Sequence, residues 1–230
     1  MRSATSQPRP ELILRRACIL DFDGVIADTE PVHAEAKRRT LERFGIAHPP
    51  TIFDAFKGRT DVDFFESVVA DLAPDADSDA LLAAKRGFYQ ELFGEVRLVA
   101  GFADFLAVAR TGFARLGVAT SATRADFELV VDRFGLERAF DAIVTSDDTT
   151  RSKPDPEPYL VALDRLGLPA RAALAVEDSP NGVLSAAAAG VLVVGLAGGF
   201  TADALLAAGA SVIIEDLAEL TSVVAPNLLT

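Results

Sequence analysis

A short apolar run, Ala17 to Leu20, leads directly into two acidic residues, Asp21 and Asp23. The run has the composition of a buried strand, and side chains two residues apart on an extended chain point to the same side. Open α/β sheets bind their ligands at the carboxyl ends of the strands. Both carboxylates are therefore predicted to face one reacting group, and Gly24 allows the backbone to turn tightly beneath it.

Short apolar runs of this kind recur along the chain and end in polar or glycine residues. The six runs are Cys18–Leu20, Gly117–Ala119, Ala142–Val144, Leu174–Val176, Val191–Val194 and Ser211–Ile214. Segments with helical spacing separate the later runs, and two of these segments close at Gly135 and Gly167. Strand and helix alternating in this way predict an α/β fold, a Rossmann-like doubly wound parallel sheet.

The stretch from residue 29 to residue 98 breaks that alternation, because its apolar residues recur at helical spacing. Its three amphipathic faces are Val32-Ala36-Leu41-Phe44, Val62-Phe65-Val69-Leu72 and Leu81-Phe88-Leu92. We therefore predict a helical cap domain over 29–98, a core domain from 11–28 and 99–230, and a disordered tail over 1–10. A helical insertion directly after the first strand is expected to act as a lid over the mouth of the sheet.

The chain has 230 residues, half of them apolar, and a formal net charge of -12. This acidic balance argues against nucleic acid and anionic membranes as partners, because both attract clustered Lys and Arg. A small phosphorylated ligand needs only a local positive site. No stretch approaches the roughly 20 apolar residues of a membrane span, and the single Cys18 lies in a predicted strand, so we expect a cytoplasmic protein without disulfides. The oligomeric state is open, and a monomer is compatible with the sequence.

Three further strand ends carry polar side chains. Thr120 and Ser121 follow one apolar run, and their hydroxyl groups are donors suited to phosphoryl oxygens. Lys153 stands just before a helix, where an ammonium group and the helix N-terminus jointly stabilise an anion. Glu177 and Asp178 follow a third run. The carboxyl ends of neighbouring parallel strands share one edge of the sheet, so these side chains are predicted to meet.

Each of these residues also has an ordinary structural interpretation. Ser121 or Thr123 would cap the next helix, Lys153 would be a solvated loop lysine, and Asp178 or Ser179 would cap a helix. These interpretations do not explain all the strand ends together. Adjacent carboxylates here repel by about 4 kcal/mol per close pair at an effective dielectric near 20. Bound Mg²⁺, which prefers oxygen ligands, turns that repulsion into attraction.

The set resembles the haloacid dehalogenase superfamily, in particular its branch of β-phosphoglucomutase-like and sugar-phosphate phosphatases with a helical cap. The segments that carry the resemblance are Asp21-Phe22-Asp23-Gly24-Val25, Ser152-Lys153-Pro154-Asp155-Pro156 and Glu177-Asp178-Ser179-Pro180-Asn181-Gly182-Val183. They occur in the family's order, and the resemblance extends from about Arg16 to the end of the chain.

The resemblance implies catalytic roles for five residues. Asp21 would be the nucleophile and Asp23 the general acid and base. Thr120 and Ser121 would bind the transferring phosphoryl group. Lys153 would clamp both that group and Asp21. The implied activity is hydrolysis of a small phosphomonoester, a sugar phosphate, through an aspartyl-phosphate intermediate.

The resemblance also implies a cofactor and substrate contacts. Mg²⁺ would be held by Asp21, Glu177 and Asp178 together with the backbone carbonyl of Asp23. In the cap, His33, Arg59 and Lys85 fall where related sugar-phosphate enzymes keep polar contacts to the substrate. The alternative for these cap residues is an ordinary structural or solvated role.

Other functions of this superfamily remain open alternatives. A β-phosphoglucomutase-type mutase returns the phosphate to a different oxygen, but hydrolysis needs fewer special features and is preferred. A dehalogenase lacks the second aspartate and the metal, whereas Asp23 and the later carboxylates are present. A phosphonate hydrolase needs a Schiff-base lysine in the cap, where Lys37, Lys57 and Lys85 are the lysines. A non-catalytic binding module is disfavoured, because each catalytic position holds a chemically competent residue.

Overall fold

The structure is a computed structural model that describes residues 16–56 and 60–220, apart from the side chain of Asp54. The tail predicted over 1–10 lies outside the described residues. The strands are β1 (Ala17–Leu20), β2 (Ala27–Asp28), β3 (Arg97–Leu98), β4 (Arg115–Ala119), β5 (Ala142–Val144), β6 (Ala173–Glu177), β7 (Leu192–Leu196) and β8 (Val212–Ile214). Each of the six predicted apolar runs overlaps a strand, although Val191 and Ser211 lie just outside theirs.

The described helices follow the predicted pattern: the first four lie in the predicted helical insertion, and the later ones alternate with strands. They are α1 (Glu30–Arg43), α2 (Ile52–Ala55), α3 (Asp61–Asp71), α4 (Ser78–Leu92), α5 (Phe102–Gly112), α6 (Arg124–Phe134), α7 (Glu157–Leu166), α8 (Pro180–Ala188) and α9 (Ala202–Ala208). Gly135 and Gly167 end α6 and α7 in the left-handed conformation, as their spacing predicts. In the part of the chain that the structure describes, no helix is both long enough and apolar enough to cross a membrane.

Six strands form one parallel sheet in the order β5-β4-β1-β6-β7-β8, which confirms the predicted α/β class. From β1 the chain moves outward to β4 and β5, and then crosses to β6 on the other side of β1 and continues to β8. Ile19 at the centre of β1 lies opposite Gly117 on one side and Ala175 on the other. The direction of winding therefore reverses at β1, and the carboxyl end of that strand is the switch point where such sheets bind ligands.

The contacts divide the chain into two compact units. One, the α/β unit, comprises the chain up to Ile26 and from Leu98 onward, and the other, the helical unit, is Ala27–Arg97. In the α/β unit, strand residues pack with helix side chains such as Tyr159, Leu163 and Val183 in one buried cluster. The helical unit has its own buried cluster, which joins α1, α3 and α4. The predicted domain bounds of 29 and 98 stay a prediction.

The helical unit differs from its predicted pattern on α3. Val62 and Leu72, assigned to the apolar face, are 48% and 39% exposed, whereas Phe64 and Val68, which were not assigned to it, are buried beside the predicted Phe65. Thr60 fixes where this helix starts, since its hydroxyl accepts from the Asp63 N–H and the Asp63 carboxylate accepts from the Thr60 N–H. With that start, the two phenylalanines provide the larger apolar area and take the buried side.

Candidate active site

Three adjacent strands each end in an acidic or hydroxyl side chain at the switch point of the sheet. Asp21 follows β1, Thr120 follows β4 on one side, and Glu177 is the last residue of β6 on the other. Asp178 comes directly after Glu177. The three strands are parallel, so their carboxyl ends share one edge. The structure thus brings the predicted strand ends to one edge of the α/β unit.

Lys153 joins two of these strand ends through ion pairs. Its Nζ lies 2.8 Å from Oδ1 of Asp21 and 2.6 Å from Oε1 of Glu177. The Lys153 side chain is only 6% exposed. It stands in the loop between β5 and α7, and its peptide bond to Pro154 is cis. A solvated loop lysine does not have these contacts, so that interpretation of Lys153 is wrong.

The carboxylates of Asp21, Glu177 and Asp178 form a cluster suited to a divalent cation. Each offers one oxygen, and these three oxygens all lie within 4.8 Å of one another. Mg²⁺ takes oxygen ligands and keeps several waters, so three carboxylates of this kind are a fitting donor set. Among the described residues, this cluster contains the three predicted carboxylate ligands of the metal. The fourth predicted ligand is the backbone carbonyl of Asp23 and not its side chain.

The ionisation of these groups shows how strongly they interact. Burial raises the pKa of Glu177, and the neighbouring charge of Asp21 raises it further. Burial followed by the charges of Asp21 and Glu177 raises the pKa of Asp178 well above its ordinary value. Burial would lower the pKa of Lys153, but the same carboxylates outweigh that effect and raise it. The site therefore keeps its lysine charged and has an excess of negative charge that a divalent cation would offset.

The surroundings of Glu177 include residues to which the sequence gave no role in the site. The buried Tyr159 hydroxyl donates to Glu177 Oε1 at 2.6 Å, and its ring lies 5.3 Å from the Lys153 ammonium. Ser179 caps α8 by accepting from the Gly182 N–H, and its hydroxyl lies 3.5 Å from the other oxygen of Glu177. In sequence, Tyr159 is one apolar position of a helix. No local signal marks it as a partner of a carboxylate 18 residues further on.

The remaining predicted residues of the α/β unit differ in exposure. Thr120 is 2% exposed, and its hydroxyl oxygen accepts from the Ala122 N–H at 2.9 Å. Ser121 is exposed and Asp23 is partly buried. Thr123, rather than Ser121, caps α6, because its hydroxyl accepts from the Asp126 N–H. Ser121 is thus not used as the helix cap that one interpretation assigned to it.

In the helical unit, His33 and Lys85 form a polar pair. Lys85 is 3% exposed, and its Nζ lies 2.7 Å from His33 Nδ1 and 2.5 Å from Asp61 Oδ2. An ammonium group only donates, so this histidine nitrogen accepts. The structure brings together two of the three predicted cap residues. The third, Arg59, lies outside the described residues.

Asp61 and Lys37 complete this cluster, and neither was identified from the sequence as part of it. Lys37 Nζ lies 3.3 Å from Asp61 Oδ1, and the Lys37 side chain is 7% exposed. Burial would raise the pKa of Asp61, but the charges of Lys85 and Lys37 outweigh burial and lower it to about 2. Burial and then the charge of Lys85 lower the pKa of His33 to about 3. At neutral pH the cluster thus contains a neutral imidazole and a carboxylate shared by two ammonium groups.

An aspartate, a lysine and two further carboxylates at the switch point of a parallel sheet are the arrangement of hydrolases that use a carboxylate nucleophile. A family profile described as "Haloacid dehalogenase-like hydrolase" matches residues 18–196. The chain belongs to this family. The resemblance stated from the motifs is confirmed, and so is the prediction that the protein is a hydrolase of this superfamily.

Individual relatives agree with this placement. The "Validoxylamine A 7'-phosphate phosphatase" of Streptomyces hygroscopicus subsp. limoneus is 31% identical, with 89% of this chain and 95% of the relative covered. The "Phosphorylated carbohydrates phosphatase" of Thermotoga maritima is also 31% identical, over 76% of this chain and 82% of its own. The crystal structure of CbbY from Rhodobacter sphaeroides in complex with phosphate superposes with a TM-score of 0.79 at 28% identity, covering 90% of this chain and 96% of that one.

Proposed function

We propose that the protein is a Mg²⁺-dependent phosphatase that hydrolyses a small phosphomonoester, and that this substrate is a sugar phosphate. The observation that carries this proposal is the Lys153 ammonium between Asp21 and Glu177, at 2.8 and 2.6 Å, beside a third carboxylate. The names of the two phosphatase relatives support a phosphorylated, carbohydrate-like substrate. The proposed location is the cytoplasm, in line with a single buried cysteine.

In the proposed reaction, a carboxylate oxygen of Asp21 attacks the phosphorus and the bond to the alcohol oxygen breaks. The Lys153 ammonium orients Asp21 and reduces the repulsion between that carboxylate and the phosphoryl group. Thr120, with Ser121, donates hydrogen bonds to the phosphoryl oxygens. Asp23 protonates the departing alcohol and then takes a proton from the water that hydrolyses the aspartyl-phosphate.

Mg²⁺ would be held by Asp21, Glu177, Asp178 and the backbone carbonyl of Asp23. When bound, it supplies positive charge that polarises the phosphoryl group and offsets the repulsion among the carboxylates. His33, Arg59 and Lys85 are proposed to contact the leaving group of the substrate. The proposal also gives the helical unit the role of a lid that excludes water during the reaction.

The test is phosphate release from a panel of phosphomonoesters with Mg²⁺ and with a chelator. We expect release only with the metal, and Asp21→Asn should lower kcat/KM by at least about a thousandfold because the nucleophile is lost. Asp104→Asn, an exposed carboxylate on α5, is the matched control and should leave the rate unchanged. Undiminished release by Asp21→Asn would show that the activity comes from another site or a contaminant.

The same assay distinguishes the mutase. β-Glucose 1-phosphate is supplied with a coupled readout for glucose 6-phosphate. The polar pair of His33 and Lys85 offers groups that would hold a departing sugar, which is the feature that a mutase requires. Glucose 6-phosphate formed without free phosphate would identify a mutase and overturn the phosphatase.

A phosphonate hydrolase is disfavoured by the ion pairs of the helical unit. A Schiff-base lysine must react as a neutral amine, whereas Lys37 and Lys85 are buried beside the Asp61 carboxylate. Lys57 lies outside the described residues. Borohydride trapping with a phosphonoaldehyde is expected to leave the protein unlabelled, and a labelled lysine in 29–98 would overturn this expectation.

A further inference from the structure

Tyr159 contacts both partners of the ion pair between Lys153 and Glu177. Its hydroxyl donates to Glu177 Oε1 at 2.6 Å, and the face of its ring lies 5.3 Å from Lys153 Nζ. Glu177 Oε1 therefore accepts from Lys153 and from Tyr159 at the same distance. Tyr159 and Glu177 are each 0% exposed. Water does not reach this contact, so the tyrosine hydroxyl takes the place of a solvent hydrogen bond to the carboxylate.

The geometry points to Tyr159 as a positioning residue for the metal ligand Glu177. We infer that its hydroxyl fixes the orientation of the Glu177 carboxylate, and that this orientation, rather than only the packing of the ring, sets the affinity of the site for Mg²⁺. The inference rests on the proposed function for the identity of the metal. The contact itself does not depend on the metal.

The physical reason lies in how Mg²⁺ and a buried carboxylate behave. Mg²⁺ demands near-ideal octahedral geometry, so a ligand that samples several rotamers binds it poorly. Partners that hold a ligand in place commonly change metal affinity by ten- to a hundredfold when they are removed. Glu177 is a flexible side chain that must satisfy Lys153 and a metal at once. Because the Tyr159 hydroxyl donates to the same oxygen as Lys153, it fixes the carboxylate in one orientation. In that orientation one oxygen accepts from Lys153 and the carboxylate can also bind the metal.

The rest of Tyr159 has a different role, which the test must separate from that of the hydroxyl. The ring belongs to the buried cluster of the α/β unit and packs with residues such as Leu163 and Val183. Replacing the whole side chain would open a cavity and destabilise the fold. Tyr159→Phe keeps the ring and removes only the hydroxyl, so its effect reports the hydrogen bond to Glu177.

The first measurement is Mg²⁺ binding by calorimetry, without substrate. We expect Tyr159→Phe to weaken Mg²⁺ binding about tenfold. Tyr89→Phe removes the hydroxyl of the other tyrosine of the chain, in the helical unit, and should leave Mg²⁺ affinity unchanged. In a Glu177→Gln background, Tyr159→Phe should have no further effect on the affinity. Unchanged affinity of Tyr159→Phe, or an equal loss in both backgrounds, would overturn the inference.

The second measurement is urea unfolding of the metal-free protein in a chelator. If the hydroxyl holds a buried carboxylate, Tyr159→Phe lowers the folded-to-unfolded equilibrium ratio about tenfold in the wild-type background and by clearly less in the Glu177→Gln background. An equal loss of stability from Tyr159→Phe in the two backgrounds would overturn the inference, whether or not the protein binds Mg²⁺. A wild type that binds no Mg²⁺, with this coupling present, would instead refute the metal in the proposed function and keep the positioning contact.

Discussion

Two glycines of the α/β unit leave space that carboxylates of the site occupy. A Cβ built at Gly182, in the first turn of α8, would overlap the Glu177 carboxylate. A Cβ at Gly24 would overlap the Asp178 carboxylate, and Gly24 also has a positive φ of 77°. Both positions therefore require glycine because a larger side chain would collide with a carboxylate of the site, and not only because of the local backbone conformation.

Gly182→Ala is expected to impair the site more than the fold. The added methyl group displaces the Glu177 carboxylate, because the helix backbone is less able to move than a side chain. We predict a fall of roughly ten- to a hundredfold in Mg²⁺ affinity, as for other changes that disturb a metal ligand. Calorimetric titration of the metal measures this, and far-UV circular dichroism checks that the helices are retained.

Gly87→Ala is the matched control for that substitution. Gly87 lies within α4, and a Cβ there would meet nothing within 4 Å. Alanine at an exposed helical position stabilises by up to about 1 kcal/mol relative to glycine, so this variant should unfold at slightly higher urea with unchanged Mg²⁺ affinity. Normal Mg²⁺ affinity in Gly182→Ala would show that Glu177 has more freedom than the structure gives it.

At the scale of elements, one carboxylate links three helices of the helical unit. Asp61 is the first residue of α3, and it pairs with Lys37 on α1 and Lys85 on α4. Both ammonium groups are almost fully buried. The apolar cluster beside them includes Leu41, Phe64 and Leu81, one from each of the same helices. Apolar packing holds these helices together, and the shared carboxylate is what allows two lysines to be buried among them.

Asp61→Asn is predicted to destabilise the protein by roughly 3 kcal/mol. Removing one partner of a buried ion pair leaves uncompensated charge, and the lower end of the usual range applies because the Asp61 side chain is 28% exposed. Urea unfolding measures the loss. Asp71→Asn, at the exposed end of the same helix, should change stability by less than about 0.5 kcal/mol. A loss of similar size in both variants would mean that the ion pairs do not matter.

The same cluster predicts how stability changes with pH. The pKa of His33 is about 3 in the folded protein, below its ordinary value of 6.5, so the unfolded chain binds the proton first as pH falls. Its contribution is therefore present above about pH 6.5 and decreases toward pH 3. Between pH 7 and 5 we expect roughly 1 kcal/mol of this loss, about half of the full linkage, since the ring is partly exposed.

Unfolding in urea at pH 7, 6 and 5 tests this dependence in the wild type and in His33→Gln. The difference between the two proteins isolates the histidine from carboxylates such as Glu177, whose raised pKa changes stability in the opposite direction over this range. Parallel pH curves would show that His33 is not held neutral.

At the scale of the whole molecule, the order of the strands predicts the pattern of local stability. The strands β1 and β6 lie at the centre of the six-stranded sheet, and every residue of both is buried. The strands β5 and β8 are the edges. Amide hydrogen exchange followed by mass spectrometry should therefore be slowest in β1 and β6 and faster in β5 and β8. Slower exchange in an edge strand than in β1 would contradict this order of stability.

The sequence alone determined the class of fold and the motifs of the candidate site. Apolar runs that end in Asp21, Thr120 or Glu177 are local patterns, and the physical rule that parallel strands bind ligands at their carboxyl ends converts them into one site. The helical insertion was likewise visible, because the spacing of apolar residues changes from that of strands to that of helices. Each of these inferences depends on neighbours within a few residues.

The tertiary structure decided what depends on contacts between distant segments. Nothing local to Tyr159 indicates that its hydroxyl meets Glu177, and nothing near Asp61 indicates that it serves Lys37 and Lys85. The predicted face of α3 was half right: Phe65 and Val69 pack on the buried side, whereas Val62 and Leu72 are exposed, because spacing alone does not fix which side of the helix packing selects. Partners of buried polar groups are chosen by where whole elements meet, and this information is spread over the chain rather than held in any motif.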